Sequence, residues 1–328
     1  MEGFYDSLSK DRVSEALLQA LTEEGTFRLA LEAESPEGVV EAIHRGQARL
    51  GLVVPEGALE KVRRGESVAL EIYVDGSDPN FAFQAQAALR KAIQEVNSRI
   101  LLGRALAGEA VLPPLSPSLH VLYNPESRTA WFMIPGIVGL ILTLFTALLT
   151  ALSIVREGES RMMESLLASP LRPHEVVLGK VLPYLLVAFL VALLVQFLGH
   201  AVFGVPLRGS LALLLLLAMF LFVLGSLSVG VLISTLARTQ VQAVFGTYAY
   251  GFPAIFLSGF VFPIEGMPPF FQALSYLVPA RYLIEVLRGV KLKGVGWEVL
   301  WPDLLALALF AVLVLFLASV RFRRQVAV

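Results

Sequence analysis

The residues of this sequence that are typical of enzyme chemistry do not combine into a catalytic pattern. Gly179-Lys180 could end a phosphate-binding loop, but that loop needs glycine where His174 stands and serine or threonine where Val181 stands. The sequence has no nucleophile elbow and no His-Glu-x-x-His pattern. Its four histidines lie in separate segments, at His44, His120, His174 and His200. We therefore expect neither a hydrolase nor a metalloenzyme, and no cofactor.

The acidic turn Asp75-Gly76-Ser77-Asp78-Pro79-Asn80 has two interpretations. Asp78 or Asn80 could cap the start of a following helix. The carboxylates could instead bind a cation. Capping is favoured because only two carboxylates are close together in the turn.

A segment from Val155 to Pro173 carries an apolar stripe at helical spacing. The stripe consists of Met162, Met163, Leu166 and Leu167. This pattern predicts a short amphipathic helix at about 157–168, which Pro170 ends. The helix could lie on the lipid surface, or its apolar face could insert into the groove of a partner protein.

A second segment, 263–290, is apolar but repeatedly interrupted by proline. The prolines are Pro263, Pro268, Pro269 and Pro279. Broken helices occur at membrane depth where protein or a cavity buries their backbone. The segment therefore predicts either re-entrant half-helices or an ordinary amphipathic helix at the outer surface.

Composition divides the chain into two unlike parts. The sequence is 56% hydrophobic and 16% charged, with a mean hydropathy of +0.72, but charges are frequent only in residues 1–128. Residues 129–328 contain long uncharged runs. The net charge is −1 without a dense basic tract, so nucleic acid is not an expected partner. Cysteine is absent, which excludes disulfides and thiolate chemistry.

Five apolar stretches are long enough to cross a bilayer as helices, which requires roughly 20 residues. They lie at about 131–154, 181–203, 210–235, 243–262 and 304–320. Their interiors contain no Asp, Glu, Lys or Arg, and His200 lies close to the end of its stretch. Proton- and ion-coupled transporters usually need such buried charges, so any transport would draw its energy from elsewhere.

The basic residues that flank these spans predict their orientation. Eight are expected on one side: Arg156, Arg161, Arg172, Lys180, Arg238, Arg321, Arg323 and Arg324. Five are expected on the other: Arg208, Arg281, Arg288, Lys291 and Lys293. The first side is predicted to be cytoplasmic. The C-terminus is then inside and residues 1–128 are outside, which leads us to expect a sixth span before Met1.

Alternating helices and strands predict a small α/β domain within residues 1–128. The predicted helices cover about 11–23, 36–45, 57–64 and 80–106, and the predicted strands about 27–31, 48–54, 68–74 and 119–123. The fold class is therefore a membrane α-helical bundle with an N-terminal extracytoplasmic α/β domain.

The order of these parts resembles the permease subunit of type-2 ATP-binding-cassette (ABC) exporters, in the subgroup with a large extracytoplasmic domain. The most specific stretch runs from Arg156-Glu157 to Pro183-Tyr184 and is similar to the family pattern of Arg-Glu, Gly-Thr-x-Glu-x-Leu, Pro-Leu and Gly-Lys. The matching residues are Arg156, Glu157, Gly158, Glu164, Leu166, Leu167, Pro170, Leu171, Pro173, Gly179, Lys180 and Pro183. The chain departs from the Gly-Thr spacing, because Gly158 is followed by Glu159-Ser160-Arg161.

This resemblance implies a multi-pass protein of the cell (inner) membrane that works as two permease copies, identical or closely related, with two ATPase subunits. Helix 157–168 would couple ATP hydrolysis on the partner to the spans, and segment 263–290 would form the outer re-entrant helices. The expected function is export of a hydrophobic or amphipathic substrate. The alternatives are a membrane-anchored secretion or cell-envelope accessory protein without transport and, less favoured, a receptor with an extracytoplasmic sensor domain.

Overall fold

The computed structural model describes residues 2–7, 12–23, 27–33, 35–106, 115–159, 173–206 and 211–326. The chain forms two compact units, Met1–Thr129 and Ala130–Val328. Each unit has a hydrophobic core of its own.

The first unit is an α/β domain built on a five-stranded sheet. Its strands are β1 (Glu2–Ser7), β2 (Arg28–Ala33), β3 (Leu50–Val54), β4 (Val68–Asp75) and β5 (Leu115–Leu122). The order across the sheet is β2-β1-β3-β4-β5. All neighbouring pairs are parallel except β3 and β4, which are antiparallel. The sheet is therefore mixed, with one reversal at its centre.

Helices cover the two faces of this sheet unequally. They are α1 (Arg12–Glu23), α2 (Pro36–His44), α3 (Ala58–Arg63) and α4 (Pro79–Leu106). Helices α1, α3 and α4 pack on one face, where the main core lies. Helix α2 supplies a smaller cluster with Val39 and Ile43 against Val53. Strand β3 is accordingly buried along its whole length, whereas β4 alternates between buried and exposed residues.

The predicted α/β class describes this unit, although single elements differ from prediction. Strand β1 was not predicted, and β5 begins at Leu115 rather than 119. Strand β1 contains Gly3 and two acidic residues, so its composition is untypical of a strand. It forms because it pairs with both β2 and β3.

The second unit is a helical bundle. Its helices are α5 (Thr129–Glu159), α6 (Pro173–Phe203), α7 (Ala212–Ser234), α8 (Gln240–Leu257), α9 (Pro269–Ser275), α10 (Pro279–Arg288) and α11 (Trp297–Val326). A 3₁₀ turn at Ile264–Gly266 precedes α9, and a π-helical turn at Gly289–Lys293 follows α10. Helix α7 lies centrally and packs against α6, α8, α10 and α11.

Within the described residues, four helices have the length and apolar character of membrane spans. They are Thr129–Glu159, Leu182–Phe203, Ala212–Ser234 and Trp297–Arg321. The predicted span at 243–262 corresponds to α8, which is less apolar than these four and ends at Leu257. The chain stops being helical there because Gly259 has a φ of +79°, a left-handed conformation that suits glycine.

Candidate functional site

Three of the residues predicted to couple the permease to the ATPase are described by the structure. They lie at the end of the bundle that is predicted to be cytoplasmic. Arg156, Glu157 and Gly158 lie in the last turn of α5, which continues to Glu159. Residues 157–159 of the predicted helix at 157–168 therefore belong to the last turn of α5, and the rest of that predicted helix lies outside the described residues. Five further residues predicted for this site lie outside the described residues: Glu164, Leu166, Leu167, Pro170 and Leu171.

Glu159, the last residue of α5, joins this helix to the first residue of α8. Its Oε1 accepts a hydrogen bond from the backbone N–H of Gln240 at 2.9 Å. Its Oε2 accepts a second bond from Nε2 of the same glutamine at 2.5 Å. The backbone N–H groups in the first turn of a helix have no partner within the helix, so Glu159 satisfies one of them from another helix. A carboxylate is also favoured there by the helix dipole.

Residues close in sequence organise the rest of this helix start. The hydroxyl of Thr239 accepts a hydrogen bond from the backbone N–H of Gln242 at 3.3 Å, which is an N-cap. The side-chain oxygen of Gln242 accepts from the backbone N–H of Arg238 at 2.8 Å. The start of α8 is therefore held by its own turn and by α5.

A second polar contact joins α5 to α6 near the same end. The hydroxyl of Tyr184 donates to Oγ of Ser153 at 2.6 Å. Ser153 is in α5 and Tyr184 begins the apolar part of α6, so the helices on either side of segment 160–172 are connected to each other.

Helix α5 packs closely against α8 at Gly251, and Gly136 of α5 packs closely against the chain just after α8. A Cβ on Gly251 would overlap the side chain of Leu144, and a Cβ on Gly136 would overlap the ring of Phe260, just after α8. Nearer to Glu159, the contact is an apolar cluster that includes Val155 of α5 and Ala243 of α8. Small residues at these points allow the helix backbones to pack at short distance.

At the opposite end of the bundle, the four predicted prolines lie at the starts of short helical elements. Pro263 precedes the 3₁₀ turn, Pro268 and Pro269 begin α9, and Pro279 begins α10. Proline is favoured in a first helical turn because its missing N–H is not needed there. The segment is therefore a series of short helices broken at proline.

Two arginines hold this segment together and connect it to α5. Arg281 of α10 donates to the hydroxyl of Ser275 and places its Cζ 4.0 Å from the ring centre of Tyr276. Arg288 places its Cζ 4.0 Å from the ring centre of Phe132 in α5. Both arginines are among the basic residues expected on the outer side, and each packs on an aromatic ring.

Lys291 is fully buried, with 0% of its surface exposed. It lies in the π-helical turn, and its ammonium group donates to Oε1 of Gln196 in α6. Nε2 of Gln196 lies 3.8 Å from the sulfur of Met219 in α7. This polar contact holds the turn against α6 in an apolar surrounding. Burial of a cation is costly when its partner is neutral. The burial of Lys291 is not what the charge of this residue, one of the five expected on the outer side, would predict.

The exposed face of α8 differs from those of the other long helices. It carries the aromatic side chains of Phe245, Tyr248, Phe252 and Phe256. Tyr248 and Phe252 stack at 5.5 Å, and Phe256 stacks on Phe262 at 6.0 Å. The large exposed side chains of α6 and α11 are mostly aliphatic: in α11 they include Leu305, Leu309, Val312 and Leu313.

Residues 4–320 match the family model described as ABC-2 family transporter protein. The chain belongs to the ABC-2 transporter family.

Relatives of this ABC-2 chain include several permeases. It is 30% identical over 310 residues to the probable multidrug ABC transporter permease YbhR of Escherichia coli, covering 94% of this chain and 83% of the relative. It is 31% identical over 295 residues to the probable multidrug ABC transporter permease YbhS of the same organism, covering 89% and 77%. The E. coli inner membrane transport permease YhhJ is 27% identical over 286 residues, covering 86% and 74%.

Membership in the ABC-2 family gives the chain its general role. It is a multi-pass membrane protein and the permease subunit of an ABC transporter. Such a permease is not itself an enzyme, because the ATPase of these transporters is a separate subunit.

Proposed function

We propose that this ABC-2 permease exports a hydrophobic or amphipathic substrate from the cell, driven by ATP hydrolysis on two copies of a partner ATPase. Two permease copies form the membrane unit in the inner membrane. The α/β domain is extracytoplasmic and the C-terminus is cytoplasmic, following the distribution of basic residues around the spans. In this assembly, segment 263–290 forms outer re-entrant helices.

The exposed face of α8 is the observation that carries this proposal. Tyr248 lies about 12 Å along α8 from Gln240, because each helical residue advances the chain by about 1.5 Å. It is 40% exposed, and no hydrogen-bond partner of its hydroxyl is found within the described ranges. A hydroxyl directed at lipid tails would be costly. We therefore place this face on the substrate pathway between the two permease copies.

The chemistry of that face suggests the substrate class. Aromatic rings bind apolar groups by stacking and bind organic cations through their π-faces. The names of YbhR and YbhS describe multidrug permeases, and organic cations with apolar rings are a typical drug chemistry.

The energy must come from the partner because the predicted spans lack internal Asp, Glu, Lys and Arg. The coupling segment, formed by Arg156, Glu157 and Gly158 with the residues up to Leu171, is placed at the ATPase. The last turn of α5 supports this role, since it leads directly into segment 160–172.

Reconstitution of the permease with an ABC ATPase of the same organism tests the proposed function. In vesicles whose ATPase faces outward, ATP should drive accumulation of ethidium, and an ATPase variant unable to hydrolyse ATP should abolish it. If the ATPase does not co-purify and no ATP-dependent accumulation occurs, the chain is not an export permease.

Leu166→Asp tests the coupling segment within this assay. A carboxylate on the predicted apolar stripe should prevent that stripe from entering an apolar groove. Transport per ATP hydrolysed should therefore fall while the permease stays folded. Leu309→Asn, on the exposed face of α11, is a control for a polar change outside the segment. Unchanged transport in Leu166→Asp would contradict the assignment.

A further inference from the structure

The contact between Glu159 and Gln240 lies where two functional parts of the bundle meet. Glu159 is the last residue of α5 and immediately precedes segment 160–172, where the proposed function places the ATPase. Gln240 is the first residue of α8, whose exposed face is proposed to line the substrate pathway. One side chain therefore connects the two parts, although the residues are 81 positions apart.

The geometry of this contact resists both translation and rotation of α8 relative to α5. The two carboxylate oxygens bind two different donors on Gln240, one on the backbone and one on the side chain. A bidentate contact fixes orientation as well as distance. Since the backbone N–H belongs to the helix itself, a displacement of Glu159 acts directly on the α8 backbone.

The contacts deeper in the bundle are of a different kind. Gly251 faces Leu144, and Gly136 faces the ring of Phe260. These apolar contacts define the spacing of the two helices but provide no directional bond at these points. They would let α8 tilt about its middle when its first residue is pulled.

From these observations we propose that Glu159 is the positioning residue that transmits ATPase-driven movement at the end of α5 to α8. This inference rests on the proposed function and adds the route by which the coupling segment acts on the substrate pathway. Glu159 acts through Gln240 and does not contact substrate.

An exchange of the two side chains separates this role from simple stabilisation. Gln240→Glu removes the side-chain donor and places two carboxylates together, so one hydrogen bond is lost and repulsion opposes the remaining bond to the backbone N–H. In Glu159→Gln/Gln240→Glu, the new amide at position 159 can donate to the new carboxylate while its oxygen accepts from the backbone N–H. The double variant therefore restores both hydrogen bonds, with the carboxylate now on α8 instead of α5.

The experiment uses the permease–ATPase complex in vesicles and measures ethidium transported per ATP hydrolysed, together with thermal stability and co-purification. Gln240→Glu should lower this ratio by about tenfold, within the usual range of coupling between sites. The double variant should return to within about twofold of the parent, the scatter expected when a pair is restored. Gln242→Glu is the control, because it makes the same chemical change two residues away and keeps an oxygen that accepts from the backbone N–H of Arg238. Its ethidium transport per ATP should equal that of the parent.

A second pair of variants covers the case in which Gln240→Glu fails to fold. The chain has no cysteine, so Glu159→Cys/Gln240→Cys can be bridged with a short reducible thiol cross-linker and compared with single-cysteine controls. Transport per ATP should be high while the bridge is present and should fall after reduction in the same preparation.

The outcomes distinguish this inference from the proposed function. If the parent complex transports and Gln240→Glu transports equally well per ATP, or if neither the exchange nor the bridge restores coupling, Glu159 has no positioning role and the export function stands. If the parent complex shows no ATP-dependent transport, the export function fails and the inference fails with it.

Discussion

Gly136 of α5 lies directly against the ring of Phe260, with no space for a side chain between them. The contact brings the segment after α8 back onto α5, at the point where Gly259 turns the chain with a positive φ. Gly259 therefore ends α8, and the close approach of the following segment to α5 depends on Gly136.

Gly136→Ala should destabilise the bundle, because the added methyl group overlaps a buried aromatic ring. Overpacking of this kind costs about 1–3 kcal/mol, so the thermal midpoint in detergent should fall. Gly179→Ala is the matched control, since a Cβ there meets nothing within 4 Å. That change should leave the midpoint unchanged or raise it, as alanine is favoured over glycine in helices by up to about 1 kcal/mol. Equal midpoints for the two variants would exclude the close contact.

Phe252→Ala should weaken transport of ethidium if the exposed face of α8 lines the pathway. Loss of a cation–π contact, worth about 0.5–2 kcal/mol, predicts a roughly two- to thirtyfold decrease at limiting dye concentration. Leu190→Ala also removes an exposed apolar side chain, but from α6, and should transport normally. The assay is dye accumulation at several concentrations. A decrease of the same size in both variants would indicate general loss of packing instead of substrate contact.

Lys291→Met should stabilise the bundle, because it removes a buried charge while keeping a similar side-chain volume. The expected gain is about 1–3 kcal/mol. Gln196→Leu should do the opposite, since it leaves the ammonium group without its acceptor, a loss of about 1.5–3 kcal/mol. The double variant should be the most stable of the three, because it also removes the buried Gln196 oxygen that Lys291→Met leaves without a donor. Thermal unfolding in detergent measures all three, and a Lys291→Met protein less stable than the parent would contradict this account.

Asp78→Ala should loosen the start of α4. The Oδ1 atom of Asp78 accepts from the backbone N–H groups of Asn80 and Phe81 at 3.0 and 3.3 Å, and Oδ2 accepts from Nη2 of Arg49 at 3.0 Å. Loss of the cap and of the charged hydrogen bond should cost about 2–3 kcal/mol. Faster hydrogen exchange in the first turn of α4 would report it.

Glu41→Ala is the control for Asp78→Ala, because it removes an exposed ion pair with Arg45, worth less than about 1 kcal/mol. Asp78→Asn should fall between the two, since its oxygen still caps the helix. Added Mg²⁺ or Ca²⁺ should not slow exchange at this turn, because the Asp78 carboxylate already has three donors. Protection by either cation would favour the alternative of a metal site.

The sequence predicted local structure best where the residues that form the structure are adjacent in the chain. The cap at Asp78 was predicted because Asp, Pro and Asn in a turn are typical of a helix start, and the structure confirms the capping role of Asp78. Its bond to Arg49 was not predictable, since that residue lies 29 positions away on the segment before β3.

In the candidate site, too, local features were predictable and long-range contacts were not. Residues 156–158 were recognised by their similarity to a family pattern, whereas the Glu159–Gln240 contact depends on how two helices far apart in sequence meet. The burial of Lys291 was not predictable, because charge alone predicts exposure. The structure buries it by directing its long side chain to Gln196, a polar residue within an otherwise apolar helix.

The modest apolar character of α8 has a consequence for the biogenesis of the protein. Among the described helices of full spanning length it is the shortest, with 18 residues, and its two early glutamines and exposed tyrosine make partitioning into lipid less favourable than for the four apolar helices. We therefore expect the translocon to insert α8 efficiently only together with α7, as a hairpin that shields its polar groups. Because α7 leaves the ribosome before α8, it would already be in place to pack against α8 when α8 enters the membrane.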